Sequence, residues 1–196
     1  MTGAGRVGAT DAFTREHCAQ FLDGVQRPLY TFLRGMVGDA EQARDLVQDA
    51  FCEAWQVARR GAPPFIAGHS EREMRRWLFH AAYHHAISAL RRRRVITWES
   101  LDESVPAELP PRLFSPSFEE QVIERDSLQA ALRALPPADV ACLCLIVIHR
   151  FTAAEVGAIV DATPSAVAKR FARAKARLRE AYLAQSTPSQ MRSRTP

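Results

Sequence analysis

FTAAEVGAIVDATPSAVAKRFARAKARLRE, residues 151–180, is the stretch that decides the fold. Thr152-Ala153-Ala154-Glu155 has the spacing of a capping box, in which the first and fourth side chains each bond the other's backbone N–H. It predicts a short helix ending at Val160. After Asp161-Ala162, Thr163 is a second N-cap, and Pro164 suits the first helical position, where an N–H would have no partner. The helix it starts is expected to run to about Ala184. A capped short helix, a tight turn and a longer helix make a helix-turn-helix. The longer helix carries Ser165, Lys169, Arg170 and Arg173 near its start, then Lys175, Arg177 and Arg179. Recognition helices enter the major groove by their N-terminal part, so the first four are the candidate duplex-DNA contacts. An ordinary helical hairpin with a solvated basic face carries the same pattern.

Outward from this stretch the chain stays helical. Leu135-Pro136-Pro137 closes an amphipathic helix expected over 118–134. Leu145-Ile146-Val147-Ile148, read alone, suits a buried strand, but its helical neighbours favour helix for 138–149. At the other end, Phe13, Phe21, Val25, Leu29, Phe32 and Leu33 mark a helix from about Asp11 to Gly35, with Pro28 a kink point. Gly38 breaks it, and Asp39 with Gln42 fits a second capping box. Ala43, Leu46, Val47, Ala50, Phe51 and Ala54 then repeat at helical spacing as a buried face. Asp45, Gln48, Asp49 and Cys52 lie on the other side, and Gly61-Ala62-Pro63-Pro64 is a loop.

A third helix is expected from about Arg72 to Arg94. Leu78, Ala81, Ala82, His85, Ala86, Ala89 and Leu90 form its apolar stripe. Arg76, His80, Tyr83, Ile87, Arg91 and Arg94 fall on the opposite face. Arginines supply charge for phosphates, while Tyr83, His80 and His84 could stack on unpaired bases, a mixture suited to opened DNA. A solvated helix with a basic end, which the helix dipole favours, reads the same way. Beyond it, acidic residues and Pro106, Pro110, Pro111 and Pro116 suit an extended linker. The expected architecture is all-α: a helical domain over 11–95, an acidic linker over 96–117, a helix-turn-helix domain over 118–184 and a disordered tail over 185–196.

Composition narrows the function. The net charge of +4 tilts towards a polyanionic partner. The longest apolar run, Val140 to Ile148, is too short to cross a bilayer, and Met1 to Thr10 lacks a secretory apolar stretch, so a cytoplasmic protein without membrane insertion is expected. The four cysteines, Cys18, Cys52, Cys142 and Cys144, include no CxxC pair and read as packing residues. His80 and His84 stand one turn apart, but no carboxylate or cysteine lies nearby in sequence to complete a site, so no metal and no cofactor is expected. No Gly-rich phosphate loop, nucleophile elbow or HExxH is present, so no catalytic residues are assigned and no enzyme is expected.

Taken in succession, three stretches resemble domain 2 of the extracytoplasmic-function group of bacterial RNA polymerase sigma factors. They are Asp45-Leu46-Val47-Gln48-Asp49-Ala50-Phe51, Arg76-Trp77-Leu78-Phe79-His80-Ala81-Ala82 and Leu90-Arg91-Arg92-Arg93-Arg94. Leu132-Arg133-Ala134-Leu135-Pro136 and the helix-turn-helix ending Arg170-Phe171-Ala172-Arg173-Ala174-Lys175-Ala176-Arg177-Leu178 resemble domain 4. The resemblance spans Phe21 to Leu183. It implies that Asp45, Gln48 and Asp49 dock on the clamp helices of core RNA polymerase. Arg76, His80, Tyr83, His84, Arg91 and Arg94, with the loop Pro63 to Ser70, would open the promoter's minus-ten element and hold a flipped base. Domain 4, through Ser165, Lys169, Arg170 and Arg173, would read the minus-thirty-five duplex and touch the polymerase flap. The acidic linker would thread towards the active-site and RNA-exit channels. An anti-sigma protein is the implied regulator, and the nucleoid the implied place of work.

The chain departs from the family pattern at Ala82-Tyr83-His84, where the family has Ala-Arg-Asn, at Ser88 for an aspartate, and at Asp161 for the turn glycine. Ser165-Ala166-Val167 replaces Gly-Thr-Val. These changes bear on the promoter sequence read. Two other readings fit parts of the pattern: a helix-turn-helix regulator that binds operators without polymerase, and a sigma-like protein-interaction module.

Overall fold

A computed structural model of the chain describes residues 15–65, 69–99, 128 and 130–191. Among them every regular element is helical, as the hydrophobic periodicity predicts. We label them α1 (Arg15–Val37), α2 (Ala40–Arg59), α3 (Glu71–Glu99), α4 (Pro137–Leu143), α5 (Ala153–Val160) and α6 (Pro164–Met191), with a π-helical turn, Cys144–Ile148, after α4. Most of the expected acidic linker, most of the 118–134 helix and the end of the tail lie outside the described residues.

Local chemistry sets most of the helix ends. Gly38, at φ 75°, turns the chain between α1 and α2. Asp39 accepts a hydrogen bond from the Gln42 backbone N at 2.8 Å, but Gln42 Oε1 is buried without a partner, so this capping box is closed on one side only. Ser70 and Glu73 form a full box at the start of α3: the Glu73 carboxylate accepts from the Ser70 backbone N at 2.7 Å, and Ser70 Oγ accepts from Glu73 N at 3.3 Å. The Thr152–Glu155 box stands as read. Thr163 Oγ1 accepts from Ala166 N at 3.2 Å, capping α6 ahead of Pro164.

Two helices outrun their expected ends. α3 passes through the arginine run to Glu99, since arginine is a good helix former and the first proline is Pro106. α6 runs on to Met191, through Pro188 and through residues expected to form a disordered tail from Gln185.

The strand-like run of Leu145 to Ile148 is helical, but wound loosely. His149 N donates to Cys144 O at 3.1 Å, a five-residue step, and the β-branched Ile146-Val147-Ile148 sit in this turn. Val147 and Ile148 are left exposed. Arg150, at φ 58°, then redirects the chain into α5.

The first three helices pack on one another through Leu29, Phe32 and Leu33 of α1, Ala43, Ala50 and Ala54 of α2, and Leu78, Phe79, Ala82 and Ala86 of α3, all fully buried. Val140, Leu145, Val156, Ile159 and Val167 fill the space among α4, α5 and α6. The two sets are continuous: α3 packs on α5, and α1 on α4. At the junction Phe79 meets Phe32 at 5.3 Å, His149 at 4.6 Å and Phe151 at 5.5 Å between ring centres.

His149 is buried there, with Nε2 unpaired. Burial, with Arg75 beside it, pushes its pKa from the ordinary 6.5 down to about 4. The unfolded chain therefore takes up a proton near pH 6.5 that the folded chain refuses until about pH 4. Stability is full above pH 6.5 and declines as pH falls through that window, by on the order of 3 kcal/mol. Urea unfolding at a series of pH values should show the decline, and His149→Phe should remove it.

Gly157 is fixed by close approach. A Cβ on it would stand 2.4 Å from the backbone oxygen of Ala162, in the turn of the helix-turn-helix. Gly157→Ala is expected to lower stability by about 1–3 kcal/mol, because backbone rather than a flexible side chain must move. Chemical denaturation measures this directly, and an unchanged midpoint would mean the turn sits farther from α5.

Candidate nucleic-acid interface

Three polar surfaces carry the residues picked out from the sequence. On α2, Asp45, Gln48 and Asp49 are all exposed, opposite the buried Ala43, Leu46, Val47, Ala50 and Ala54. Spacing of three and four residues makes them one continuous stripe.

On α3 the candidates are not on a free face. The helix is covered on both sides, by α1 and α2 on one and by α5 on the other. Tyr83, expected to face solvent, is only 8% exposed, and burial raises its hydroxyl pKa while Arg170 opposes the rise. His80 Nδ1 lies 3.1 Å from the Ile159 carbonyl of α5. His84 Nε2 lies 3.0 Å from an Asp161 carboxylate oxygen in the turn after α5. Arg76 lines a cleft of about 350 Å³ with Pro63, Pro64, His69, Glu73, Trp77 and His80, and Ala158 of α5 closes one side. Arg91 is exposed, and the Arg94 side chain lies outside the described residues.

A bidentate ion pair clamps the same junction. The Arg72 guanidinium grips Glu155, with one of the two contacts at 2.7 Å. Glu155 also accepts from Thr152 N and Thr152 Oγ1, each at 2.7 Å, so one carboxylate both caps α5 and ties it to α3. Arg72 first, then the Thr152 bonds, hold its pKa down to about 2.

On α6, Ser165, Lys169 and Arg173 are exposed. Four-residue steps place them in one row along the helix. Arg170 is different. It is half-buried, reaches towards Asp139 of α4 at 3.9 Å, and lowers the thiol pKa of Cys142, which burial otherwise raises. Arg177 bonds the other oxygen of Asp139 at 2.6 Å. Asp139 thus anchors α6 to α4 through two arginines, and Arg170, about 100° round the helix from Lys169, stands off the outward row on the side of the buried Val167 and Ala174.

Sequence reading missed Arg72, Glu155 and Asp161 as partners of the α3 face. The two ends of the Arg72–Glu155 pair are 83 residues apart, and no local pattern connects them. Among the described residues the cysteines behave as packing residues at Cys142 and Cys144, where burial pushes the Cys144 thiol to about 11, while Cys52 is exposed. No helix among the described residues is long and apolar enough to cross a membrane.

Residues 21–95 match the family Sigma-70 region 2, a span holding the α2 stripe, the cleft and the polar face of α3. By fold the chain is similar to the sigma factor RpoE of Bartonella quintana, solved in complex with the anti-sigma factor NepR. The likeness has a TM-score of 0.60 at 22% identity and covers 85% of this chain and 94% of that one. No curated protein matches the chain by sequence.

Proposed function

We propose that the chain, whose residues 21–95 match Sigma-70 region 2, is a sigma factor that brings core RNA polymerase to promoters and opens them there, itself catalysing nothing. The carrying observation is that region 2 coincides with an exposed acidic stripe on one helix and a polar cleft against the next. The stripe of Asp45, Gln48 and Asp49 docks on the polymerase clamp. The cleft between Pro63–Pro64 and Arg76–His80 receives an unstacked minus-ten base, with Trp77 and His80 as stacking walls and Arg76 on phosphate. Tyr83, His84, Arg91 and Arg94 continue the strand path. Residues 118–184 form the second domain, whose row of Ser165, Lys169 and Arg173 enters the minus-thirty-five major groove, with Arg170 holding that helix in place. The acidic stretch 96–117 runs through the polymerase channels between the two, and the flap supports the second domain.

The packing adds a condition. With α5 across His80, Tyr83 and His84, a nucleic-acid strand has no path along α3. The free chain is therefore a closed form, and joining polymerase separates α3 from α5. An anti-sigma protein is the expected partner of the free form, and the cytoplasm, on the nucleoid, its place of work.

Co-migration of the chain with core RNA polymerase tests the docking step. Asp45→Ala and Gln48→Ala should each weaken binding about ten-fold, on the order of 1–2 kcal/mol, without lowering thermal stability, because both side chains are exposed. No co-migration at all would leave an operator-binding regulator or an interaction module.

A further inference from the structure

His80 and His84 lack a third ligand in the sequence around them, but the fold supplies one. Asp161, in the turn between α5 and α6, joins them so that one ligand atom from each of the three residues lies within 4.8 Å of the others. The imidazole rings lie one turn apart on α3, tilted 58° to each other, their centres separated by 4.3 Å.

Two details suit a cation. The Ile159 carbonyl can only accept, so His80 Nδ1, 3.1 Å away, carries the proton and the lone pair falls to Nε2. This is how metal-binding imidazoles are commonly held, with the second nitrogen donating to a carbonyl that fixes the tautomer. His84 Nε2 is buried without a hydrogen-bond partner, although the Asp161 carboxylate is 3.0 Å away: the contact is close but its angle is wrong for a hydrogen bond. His84 Nε2 and a carboxylate oxygen thus stand close together without a hydrogen bond joining them.

We propose that His80, His84 and Asp161 form a binding site for a divalent transition cation, zinc above all, that ties α3 to the turn of the helix-turn-helix. Two imidazoles and one carboxylate favour a borderline cation over magnesium or calcium, which take all-oxygen shells. Ligands at ~2.0–2.2 Å from zinc stand roughly 3.4 Å from one another in a tetrahedron, so binding draws the three side chains in by about an ångström. Side-chain rotation supplies that much, and water completes the shell.

The ligands come from both sides of the junction, so the ion binds the closed form alone. At one hundred times its dissociation constant it shifts the closed-to-open ratio about a hundred-fold. If the closed form is the one that hides the promoter-opening face, as proposed above, the ion opposes promoter opening. That consequence rests on the functional reading; the site itself does not.

The test uses the full, metal-free chain titrated with Co²⁺ and followed by its visible ligand-field bands, then by displacement with Zn²⁺. One ion per chain is expected, equally in the Cys52→Ser variant, with no thiolate charge-transfer band. His84→Ala and Asp161→Asn should each weaken binding ten-fold or more. Asparagine tolerates the left-handed backbone at position 161, where φ is 52°, so the second variant keeps the turn. No binding at micromolar metal, a thiolate band, or an affinity in both variants equal to that of the unchanged chain overturns the proposal. Polymerase is absent from this assay, so its failure leaves the functional reading intact. A chain that binds cobalt as expected but never joins polymerase overturns that reading alone.

Discussion

Phe79→Ala is expected to cost about 3–5 kcal/mol of folding stability, the range for emptying a fully buried phenylalanine site. Phe79 touches Phe32 in α1 and both His149 and Phe151 beyond α4, and the Arg75 guanidinium lies 5.8 Å from its ring centre. The void therefore opens in the wall shared by the two helical sets, where neither can collapse into it alone. Domains of this size have only about 5–15 kcal/mol to lose, so the variant should be partly unfolded at moderate temperature. Phe79→Leu, which keeps most of the volume, should cost clearly less. Urea denaturation of the three proteins makes the comparison. A cost below about 1 kcal/mol for the alanine variant would mean that the two sets do not pack as described.

The second large effect concerns duplex DNA. Lys169→Ala and Arg173→Ala should each weaken binding to a minus-thirty-five duplex by about 1–3 kcal/mol, roughly ten- to hundred-fold. Both are exposed in the outward row of α6 and are not used by the packing. If one of them contacts only phosphate, its loss should weaken binding alike on all sequences and flatten the salt dependence by about one unit of slope. Arg170→Ala should act by another route. It removes one of the two arginines on Asp139, a carboxylate only 6% exposed, so its main effect is on stability. Arg179, exposed but farther along the helix, serves as a control: equal loss on its replacement would mean a diffuse basic surface rather than an ordered readout. Titrations at two salt concentrations distinguish these cases.

What could be read from the sequence was local. Thr152 with Glu155, Thr163 with Pro164 and the left-handed Asp161 all declare themselves within a few residues, and the helix-turn-helix follows from them. Ser70 and Glu73 declare themselves in the same way, and place the start of α3 one residue earlier than the Arg72 inferred from periodicity. The α3 face was harder. A helical projection assumes one buried side, and α3 packs against helices on two, so Phe79 belongs to the core although it fell outside the apolar stripe. Tyr83 is buried for the same reason. The inward turn of Arg170 depends on Asp139, in another helix. The pairs Arg72–Glu155 and His84–Asp161 join residues that only tertiary packing brings together. The exposed stripe of Asp45, Gln48 and Asp49 needed no such information, since α2 has one buried and one open face.

The most direct test is run-off transcription by core RNA polymerase on a library of genomic fragments, with and without this chain. New, discrete start sites that depend on the chain, and that fade with Asp45→Ala, are the expected result. No new starts with core enzyme that is active with another sigma factor would contradict the account at its centre.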